Sequence, residues 1–297
     1  MRNISTVSAL LLAGLLALLS WPPLVLAQRP GLEVPLITPG PGWKTCVRCE
    51  NDAHAFDARE KANVDTHPFD PHDISGVWGD MVGSEKGPTS GSIVLDLKTL
   101  PALTPYGKQL DDATKSAVGV KGGQHQDKDP MVICDPLGFP RQFAYNYGME
   151  FIQLPGRTLQ FFEWGHMWRT IWTDGRKLPP NPPVLRFEGY AVGHWEGDTF
   201  VVESSGYDDR SWLSEQGGLY GLRHTSEMLV EERYKRINYG KLQGSVTITD
   251  PKVFTKPWTT TGMSLLVPNA ELGEYMCVTS ENLDFNDEQT KPALGLK

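Results

Sequence analysis

The sequence of 297 residues lacks the short motifs by which many cofactor-dependent enzymes are identified. It contains no Gly-rich phosphate-binding loop and no G-x-G-x-x-G fingerprint, so neither a P-loop site nor a dinucleotide site is predicted. Ser204, Ser205 and Ser211 fall outside any Gly-x-Ser-x-Gly pattern, which disfavours a serine hydrolase built on a nucleophile elbow. We therefore expect no organic cofactor.

Basic residues are outnumbered and scattered, with 28 Lys and Arg against 36 Asp and Glu and a net charge of −8. Nucleic-acid binding needs a concentrated basic face, and none is visible along the chain. Nucleic-acid partners are therefore not expected, and an anionic membrane surface is disfavoured for the same reason. Tryptophan is abundant by contrast, with nine residues, and this side chain usually serves a core or a ligand wall.

Only the N-terminus carries a long apolar run. Arg2 precedes a run from Val7 to Leu19, and small residues ending at Ala27 fit a signal-peptidase site. The run is shorter than the roughly 20 residues that cross a bilayer, so a cleaved signal peptide is favoured over a membrane anchor. We expect a periplasmic or secreted protein without a transmembrane segment in the mature chain.

Cysteine is scarce, but its count is even, which favours disulfides in an exported protein. The C-x-x-C pair has competing interpretations. Glu50 stands where haem attachment needs His, the surroundings lack a redox βαβ pattern, and zinc would need ligands beyond His54. A short local disulfide is favoured, and the other two cysteines would then close a long loop. The predicted pairs are Cys46–Cys49 and Cys134–Cys277.

Short β-rich runs separated by turn signals dominate the rest of the chain. The clearest hairpin joins Phe187–Trp195 to Thr199–Ser205. Roughly ten strands and almost no amphipathic helix predict a mostly β fold, an antiparallel meander closed into a barrel, with a β-sandwich as the alternative. Residues 103–118 read as helical or irregular. The other predicted strands are Ser92–Leu97, Met149–Leu154, Thr158–Trp164, Trp168–Thr173, Thr225–Ile237, Leu242–Thr249, Met263–Val267 and Glu274–Val278.

These features divide the chain into four parts. Residues 1–27 are the signal peptide, and residues 28–73, rich in Pro, Gly, Asp and His, form an irregular N-terminal arm. Residues 74–285 form the β-barrel domain, and residues 286–297 form a flexible C-terminal tail.

Long motifs span most of residues 76–281: GVW at 76–78, LTPYG at 103–107, CDPLGFPR at 134–141, WRTIWTDGRKLP at 168–179, GHWEGDTFVVESSGYDDRSWL at 193–213, HTSEMLVEERYKR at 224–236 and DPKVFTKPW at 250–258. Through them the chain resembles a large family of secreted bacterial proteins, abundant in soil bacteria, to which no activity is assigned. That family often has a carboxylate two residues after the His, where this chain has Ser226. The early GVW also resembles lipocalin-like barrels, which implies a fold but no function.

Period-2 alternation places two carboxylates on otherwise apolar strand faces. Glu163 would share a face with Leu159, and Glu232 lies on the apolar face of the strand after residue 224. A carboxylate in an apolar interior must be paired, or protonated with a raised pKa, which is one route to a general acid or base. The structural alternative is an ion pair with Arg169 or Arg233.

His224 begins a strand beside a Gly-rich loop, at residues 217–221. Sites on β scaffolds concentrate at strand ends. With Glu163 or Asp209 it would form an acid–base pair, whereas the structural alternative is a loop histidine bonded to backbone. The predicted catalytic residues are therefore His224, Glu163, Asp209 and Glu232.

Aromatic density from residue 161 to residue 172 fits a pocket for an apolar or ring-shaped ligand, but taken alone it favours a plain barrel core, because a large barrel needs bulky side chains to fill it. A loop at residues 207–212 has charged groups and a tryptophan that would stack on a ligand, and a salt-bridged structural turn is an equally open interpretation of it. The predicted ligand-binding residues are Trp164, His166, Trp168, Arg169, Trp172, Arg210, Trp212 and Arg233.

Three histidines, His166, His194 and His224, offer a metal site as a further alternative. No H-x-H or H-E-x-x-H spacing supports it, so no metal is predicted. The favoured function is binding of a small, partly apolar or ring-containing molecule. The alternatives are a cofactor-independent hydrolase, lyase or isomerase that uses His and Asp/Glu, and an envelope interaction module.

Overall fold

The computed structural model describes residues 66–79, 95, 97–114, 128–144, 147–214, 221–268, 270–281 and 283. The predicted signal peptide, most of the N-terminal arm, Cys46, Cys49 and the C-terminal tail lie outside these residues, as does most of the predicted strand Ser92–Leu97. Within the described part of the chain, none of the helices has the length and apolar character needed to span a bilayer.

The strands are β1 (Gly76–Trp78), β2 (Met149–Leu154), β3 (Arg157–Phe162), β4 (Met167–Trp172), β5 (Tyr190–Glu196), β6 (Thr199–Ser205), β7 (Trp212–Ser214), β8 (Leu222–Arg223), β9 (Leu229–Asn238), β10 (Lys241–Thr249) and β11 (Trp258–Leu265). Nine of them form one sheet in the order β1-β2-β3-β4-β5-β6-β9-β10-β11, while β7 and β8 pair separately. The sheet is a nearly closed, mostly antiparallel barrel, which confirms the predicted fold class.

Contacts between the first and last strands of the sheet bring its two edges together. Gly79 donates its N–H to the Leu265 carbonyl at 2.9 Å, and Val267 donates to Val77 at 2.8 Å. A bridge between Trp78 and Leu266 lies between these bonds. Pairing of edge strands satisfies backbone groups that an open sheet would leave exposed.

The barrel interior is filled by the alternate residues of each strand. In β9 the buried residues are Val230, Glu232, Tyr234 and Arg236, with the exposed or half-buried ones between them. This is the period-2 pattern of a strand with one buried face. The core therefore combines apolar side chains with charged ones that the strands turn inward.

One strand pair departs from the predicted antiparallel meander. β4 and β5 run parallel, with Ile171 opposite Ala191. A parallel pair needs a crossover rather than a tight turn, and residues 173–189 supply it. The end of this connection is fixed in place, because Arg186 donates to Gly206 at 3.0 Å and the Phe187 carbonyl accepts from Phe139 at 3.0 Å.

The α-helix α1 (Pro105–Thr114) lies within the region predicted as helical or irregular. Thr104 precedes it, and its hydroxyl accepts from the N–H of Gly107 at 2.9 Å, the usual role of an N-cap threonine. Short 3-10 segments cover Leu97–Thr99, Pro130–Ile133 and Arg141–Ala144.

The predicted strand Glu274–Val278 was wrong. Only Tyr275 of this segment makes a strand-like contact, an isolated bridge with Trp164. The apolar residues Met276 and Val278 are exposed there rather than packed. Alternation alone predicted a strand, but the barrel offers this segment no free edge.

The disulfide Cys134–Cys277 is present, as the sequence predicted, with its Cα atoms 5.6 Å apart. It links residues 143 apart in sequence and joins the segment after β11 to the loop before β2. A covalent link across so long a loop restricts the unfolded chain.

Candidate functional site

A group of buried polar side chains lies inside the barrel, where apolar residues would be expected. We call it the interior cluster. Its members are Gln142, Gln160, Arg169, Glu188, Ser204, Tyr207, Glu232 and Tyr234.

Regular strand geometry positions the centre of the interior cluster. Gln160 on β3 lies directly opposite Arg169 on β4 in the strand register. On β9, Glu232 and Tyr234 are two residues apart and therefore share the inward face. Strands from both sides of the barrel thus direct polar side chains toward one point.

Arg169 and Glu232 form the central ion pair of the cluster. Arg169 also donates through Nε and Nη2 to the Gln160 oxygen, at 2.9 and 2.7 Å. The Tyr234 hydroxyl donates to Glu232 Oε2 at 2.6 Å. Burial acts to lower the pKa of Arg169, but the Glu232 carboxylate together with Tyr234 and Tyr207 outweighs it, so that the pKa is raised and the guanidinium stays charged.

Aromatic rings surround this pair. The guanidinium carbon of Arg169 lies 3.7 Å from the ring centroid of Phe139, a cation–π contact that favours the charged form. Tyr207 donates its hydroxyl to Ser204 at 2.6 Å, and burial raises its pKa. Both the cation and the phenol are therefore held in fixed orientations inside the barrel.

Glu188 approaches the cluster from the crossover connection rather than from a strand. It lies in the turn closed by the bond from the Gly189 N–H to the Arg186 carbonyl, 3.1 Å long. Gly189 has a φ of +64°, and a Cβ there would lie 2.7 Å from the Tyr207 ring. A glycine is required at this position, both for the left-handed backbone and for the close ring. Glu188 is thus placed by rigid backbone.

The carboxyl group of Glu188 has an unusual ionisation. Burial raises its pKa to about 7, the nearby Arg169 and Gln142 oppose this, and Glu232 adds to it. Removal from water disfavours the charged carboxylate. Glu188 is therefore balanced between its neutral and charged forms near neutral pH.

Several cluster atoms have no hydrogen-bond partner among the residues that the structure describes. They are both oxygens of Glu188, Oε1 of Glu232, Nη1 of Arg169, and both the oxygen and the nitrogen of the Gln142 amide. Gln142 lies close enough to Glu188 to lower its pKa, but without good hydrogen-bond geometry. Buried polar atoms are nearly always satisfied in proteins, and exceptions call for an explanation.

A narrow pocket of about 20 Å³ adjoins the cluster. Gln142 forms part of its wall, and Gln160 donates to the sulfur of another wall residue, Met149, at 3.5 Å. The half-buried Tyr147 and Trp164 also line it, with ring centroids 5.0 Å apart. This volume holds about one water molecule, and Gln142 is the interior-cluster residue that lines it. A larger group would enter only after a lining side chain moves.

Glu163 is buried as predicted, but it does not share the environment of Glu232. Gln160 and Phe162 provide the buried face of β3, whereas Leu159 is only half-buried. Glu163 follows the end of that strand. Its carboxylate accepts backbone N–H bonds from Gly148 at 2.7 Å and Gly273 at 2.9 Å. The predicted placement with Leu159 on an inward face was wrong, and the contacts are those of a structural clamp.

We expect Glu163→Gln to lower the free energy of unfolding by about 1–3 kcal/mol, because an amide NH₂ would then face one of the two backbone donors. Urea unfolding with the disulfide intact measures this change. Glu203→Gln is the matched control, since Glu203 lies exposed on β6. Equal unfolding midpoints for the two variants would contradict the proposed clamp.

His224 is buried, and both of its ring nitrogens are engaged. Nδ1 donates to the Thr225 carbonyl at 3.0 Å. Nε2 lies 2.8 Å from the hydroxyl oxygen of Ser211, a serine that sequence reasoning set aside. The one hydrogen of that hydroxyl is shared between Nε2 and the Asp208 carbonyl, 3.0 Å away. Burial lowers the pKa of His224, which keeps the ring neutral. Neither Glu163 nor Asp209 contributes a hydrogen bond to it among the described residues, so the predicted acid–base pair is not formed.

The residues of the 207–212 loop, which was predicted to orient a ligand, lie in different environments. Asp209 and Arg210 are exposed, and Arg210 pairs with Asp208 at 2.8 Å. Trp212 is buried against Gly221, where a Cβ would lie 2.2 Å from its ring. These residues fix a turn and pack the second sheet, and they lie apart from the interior cluster.

The remaining predicted ligand residues take three different positions. Trp168 is 55% exposed and stacks on Phe161. Trp172 lies outside the core, with the guanidinium of Arg176 at 3.5 Å from its ring centroid. Arg233 pairs with Glu196 at 2.6 Å on the outer surface. Of the predicted ligand residues, Arg169 lies within the interior cluster and Trp164 lines the pocket.

The three histidines of the metal alternative make separate contacts. His166 donates to the Gly273 carbonyl at 3.1 Å, and His194 lies 3.3 Å from Glu196. His224 contacts Ser211, as described above. No group of three or more His, Cys, Asp or Glu side chains suited to a metal ion occurs among the described residues.

Among the members of the interior cluster, Arg169 and Glu232 were predicted as site residues. The others were not, although Tyr207 begins the loop at residues 207–212. Glu188 was included in a predicted strand, and Gln142 follows a Pro-containing loop. Gln142 lies in no strand, and Glu188 precedes the observed start of β5 at Tyr190, so alternation could not assign either side chain to a face. The one available signal was the Phe-Glu-Gly sequence at residues 187–189, a charged residue between an aromatic and a glycine.

Together these features define a nearly closed β-barrel with a buried polar cluster beside an aromatic-lined pocket. Comparisons with protein-family models, with curated proteins and with solved structures found no match to the chain.

Proposed function

We propose that this is an exported β-barrel protein that binds a small, partly apolar, ring-containing molecule at the interior cluster. The observation that carries the proposal is the set of buried polar atoms without partners on Glu188, Glu232, Arg169 and Gln142. Leaving one buried donor or acceptor unsatisfied costs about 1–3 kcal/mol. A ligand with matching donors and acceptors would bond to these atoms and recover that free energy. Binding would therefore explain why the protein has unsatisfied polar groups in its core.

The pocket supports the proposal by its composition. Its wall combines the amide of Gln142 with the rings of Phe143, Tyr147, Phe162 and Trp164. Small-molecule sites are mostly apolar with a few polar groups that set orientation. A polar group of the ligand would reach Gln142 and Glu188, and its ring would lie against the aromatic wall. Because the pocket is narrow, we expect the half-buried Tyr147 or Trp164 to change rotamer on binding.

The proposal that the protein is exported rests on the signal peptide predicted at residues 1–27. It agrees with the Cys134–Cys277 disulfide, since disulfides persist in oxidising compartments. We therefore propose a periplasmic or secreted location. Such a compartment supplies few nucleotide cofactors, which is consistent with binding by side chains alone.

The binding proposal is tested by native mass spectrometry on the mature protein, purified without denaturation, followed by thermal-shift screening of ring-containing fragments. We expect a retained molecule or a stabilising fragment. Gln142→Leu should reduce binding at least tenfold while preserving the fold, because it removes two unpartnered atoms and keeps the shape. Glu203→Gln on the outer surface is the control. No ligand for the wild-type protein, or unchanged affinity in Gln142→Leu, would overturn the proposal.

The enzyme alternative has one supporting observation, the bond between Ser211 and His224 with the imidazole held in one tautomer by Thr225. This is the orientation in which an imidazole accepts a proton from a serine. Both side chains, however, are buried. We therefore place a hydrolase second, and an envelope interaction module using the exposed Trp168 and its neighbours third.

A further inference from the structure

We infer that, if the interior cluster is a binding site as proposed, its ligand carries a cationic N–H group of the amidinium or ammonium class that faces Glu188 and Glu232. This deepens the proposed function by naming the chemistry of the ligand. It rests on a count of charges and of hydrogen-bonding atoms inside the barrel.

The charge count leaves one carboxyl group without a cation. Arg169 pairs with Glu232 and bonds to Gln160, and among the described residues no bond joins it to Glu188. The nearby buried Arg141 is bound to Asp129 by two hydrogen bonds, of 2.9 and 2.5 Å. Burying a carboxylate without a partner is unfavourable in free energy, so a cationic ligand would supply the positive charge that Glu188 lacks.

The hydrogen-bond count points to the same class. Among the unpartnered cluster atoms, three are carboxylate oxygens, two on Glu188 and one on Glu232. The unpartnered donors are Nη1 of Arg169 and the amide nitrogen of Gln142. Acceptors, counting the Gln142 oxygen, therefore outnumber donors, and a ligand rich in N–H groups fits better than one rich in oxygen. A planar amidinium matches the two oxygens of a carboxylate in the way that a guanidinium does.

The aromatic wall favours the same ligand. The rings of Tyr147 and Trp164 line the pocket that Gln142 of the cluster also lines, and ring faces attract cations. An aryl amidine would place its ring among these side chains and its charge toward the carboxyl groups. An anionic ligand would meet Glu188 and Glu232 with like charge.

Binding of such a cation would be linked to the ionisation of Glu188. The charged and titratable groups that act on Glu188 are Arg169 on β4, Glu232 on β9 and Tyr207 after β6, and Tyr234 contacts Glu232 behind them. The pKa of each tyrosine and of Arg169 is raised, so these groups keep their charge state near neutrality. The affinity for a cation should therefore rise as Glu188 loses its proton.

Three isosteric probes test the inference: benzamidinium chloride, benzamide and sodium benzoate. Titration calorimetry on the mature protein at about pH 8 should show benzamidinium binding at least tenfold more tightly than the other two. At about pH 6 its affinity should fall about tenfold, because Glu188 is then mostly protonated. Binding at about pH 7 should release protons, measured as a dependence of the heat on buffer ionisation.

The variant Glu188→Gln tests whether the charge of Glu188, rather than the shape of the site, causes the preference for benzamidinium. It keeps the shape of the side chain and removes its charge, so the preference for benzamidinium and its pH dependence should both disappear. Benzamide or benzoate bound more tightly than benzamidinium would overturn the cationic class but leave the interior site standing. Absence of binding by all three probes would also overturn this inference, while the proposed function would still be judged by the retained-ligand and fragment measurements above.

Discussion

Replacing Arg169 by methionine will lower the free energy of unfolding by about 3–5 kcal/mol, the usual result of removing one partner from a buried ion pair. The variant leaves Glu232 without its cation and also removes the opposite charge nearest to Glu188. Gln160 loses both of its bonds to the guanidinium. The penalty comes from the carboxylates left in a medium that solvates them poorly, rather than from lost packing.

Urea unfolding of the oxidised protein measures the effect. Arg233→Met is the matched control, because Arg233 lies on the same strand as Glu232 but pairs with Glu196 on the exposed surface, where ion pairs contribute little. The double variant Arg169→Met with Glu232→Leu should recover much of the lost stability, since apolar replacement of both partners is often neutral. Similar losses for Arg169→Met and Arg233→Met would contradict a desolvated pair in the barrel.

The regular strands made part of this site predictable. Glu232 was expected inside the barrel, because β9 alternates cleanly and a one-residue shift would turn every side chain to the other face. Arg169 was named as a possible partner of that carboxylate, and the ion pair is the structural alternative that was left open. The disulfide Cys134–Cys277 followed from an even count of cysteines and from the short spacing of the other pair.

The sequence was least informative where both faces of a strand are apolar or where no strand exists. On β3, Leu159 and Phe161 alternate with Gln160 and Phe162, so the inward face could not be chosen. Glu163 is buried as predicted, but it lies beyond the end of the strand and not on a face shared with Leu159. Glu188 comes from a crossover turn, and only long-range contacts bring it to the cluster. Those contacts depend on the parallel pairing of β4 with β5, which a meander prediction does not include.

Replacing Glu188 by glutamine should stabilise the protein above neutral pH. Burial raises the pKa of Glu188 from 4.5 to about 7, so the folded state holds this proton more tightly than the unfolded state does. Stability contributed by the protonated group is fully present below about pH 4.5 and is lost as the pH rises through 7. The loss amounts to about 3 kcal/mol, at about 1.4 kcal/mol for each unit of pKa.

Glutamine has nearly the same shape and does not ionise, so the variant escapes this loss. We expect its unfolding free energy to match that of the wild type near pH 4.5 and to exceed it by about 3 kcal/mol near pH 8, with Glu203→Gln showing no such trend. Parallel curves for Glu188→Gln and the wild type would contradict the raised pKa. A residue whose removal stabilises a protein is often kept for function, so this variant should gain stability near pH 8, where the wild type prefers benzamidinium and the variant does not.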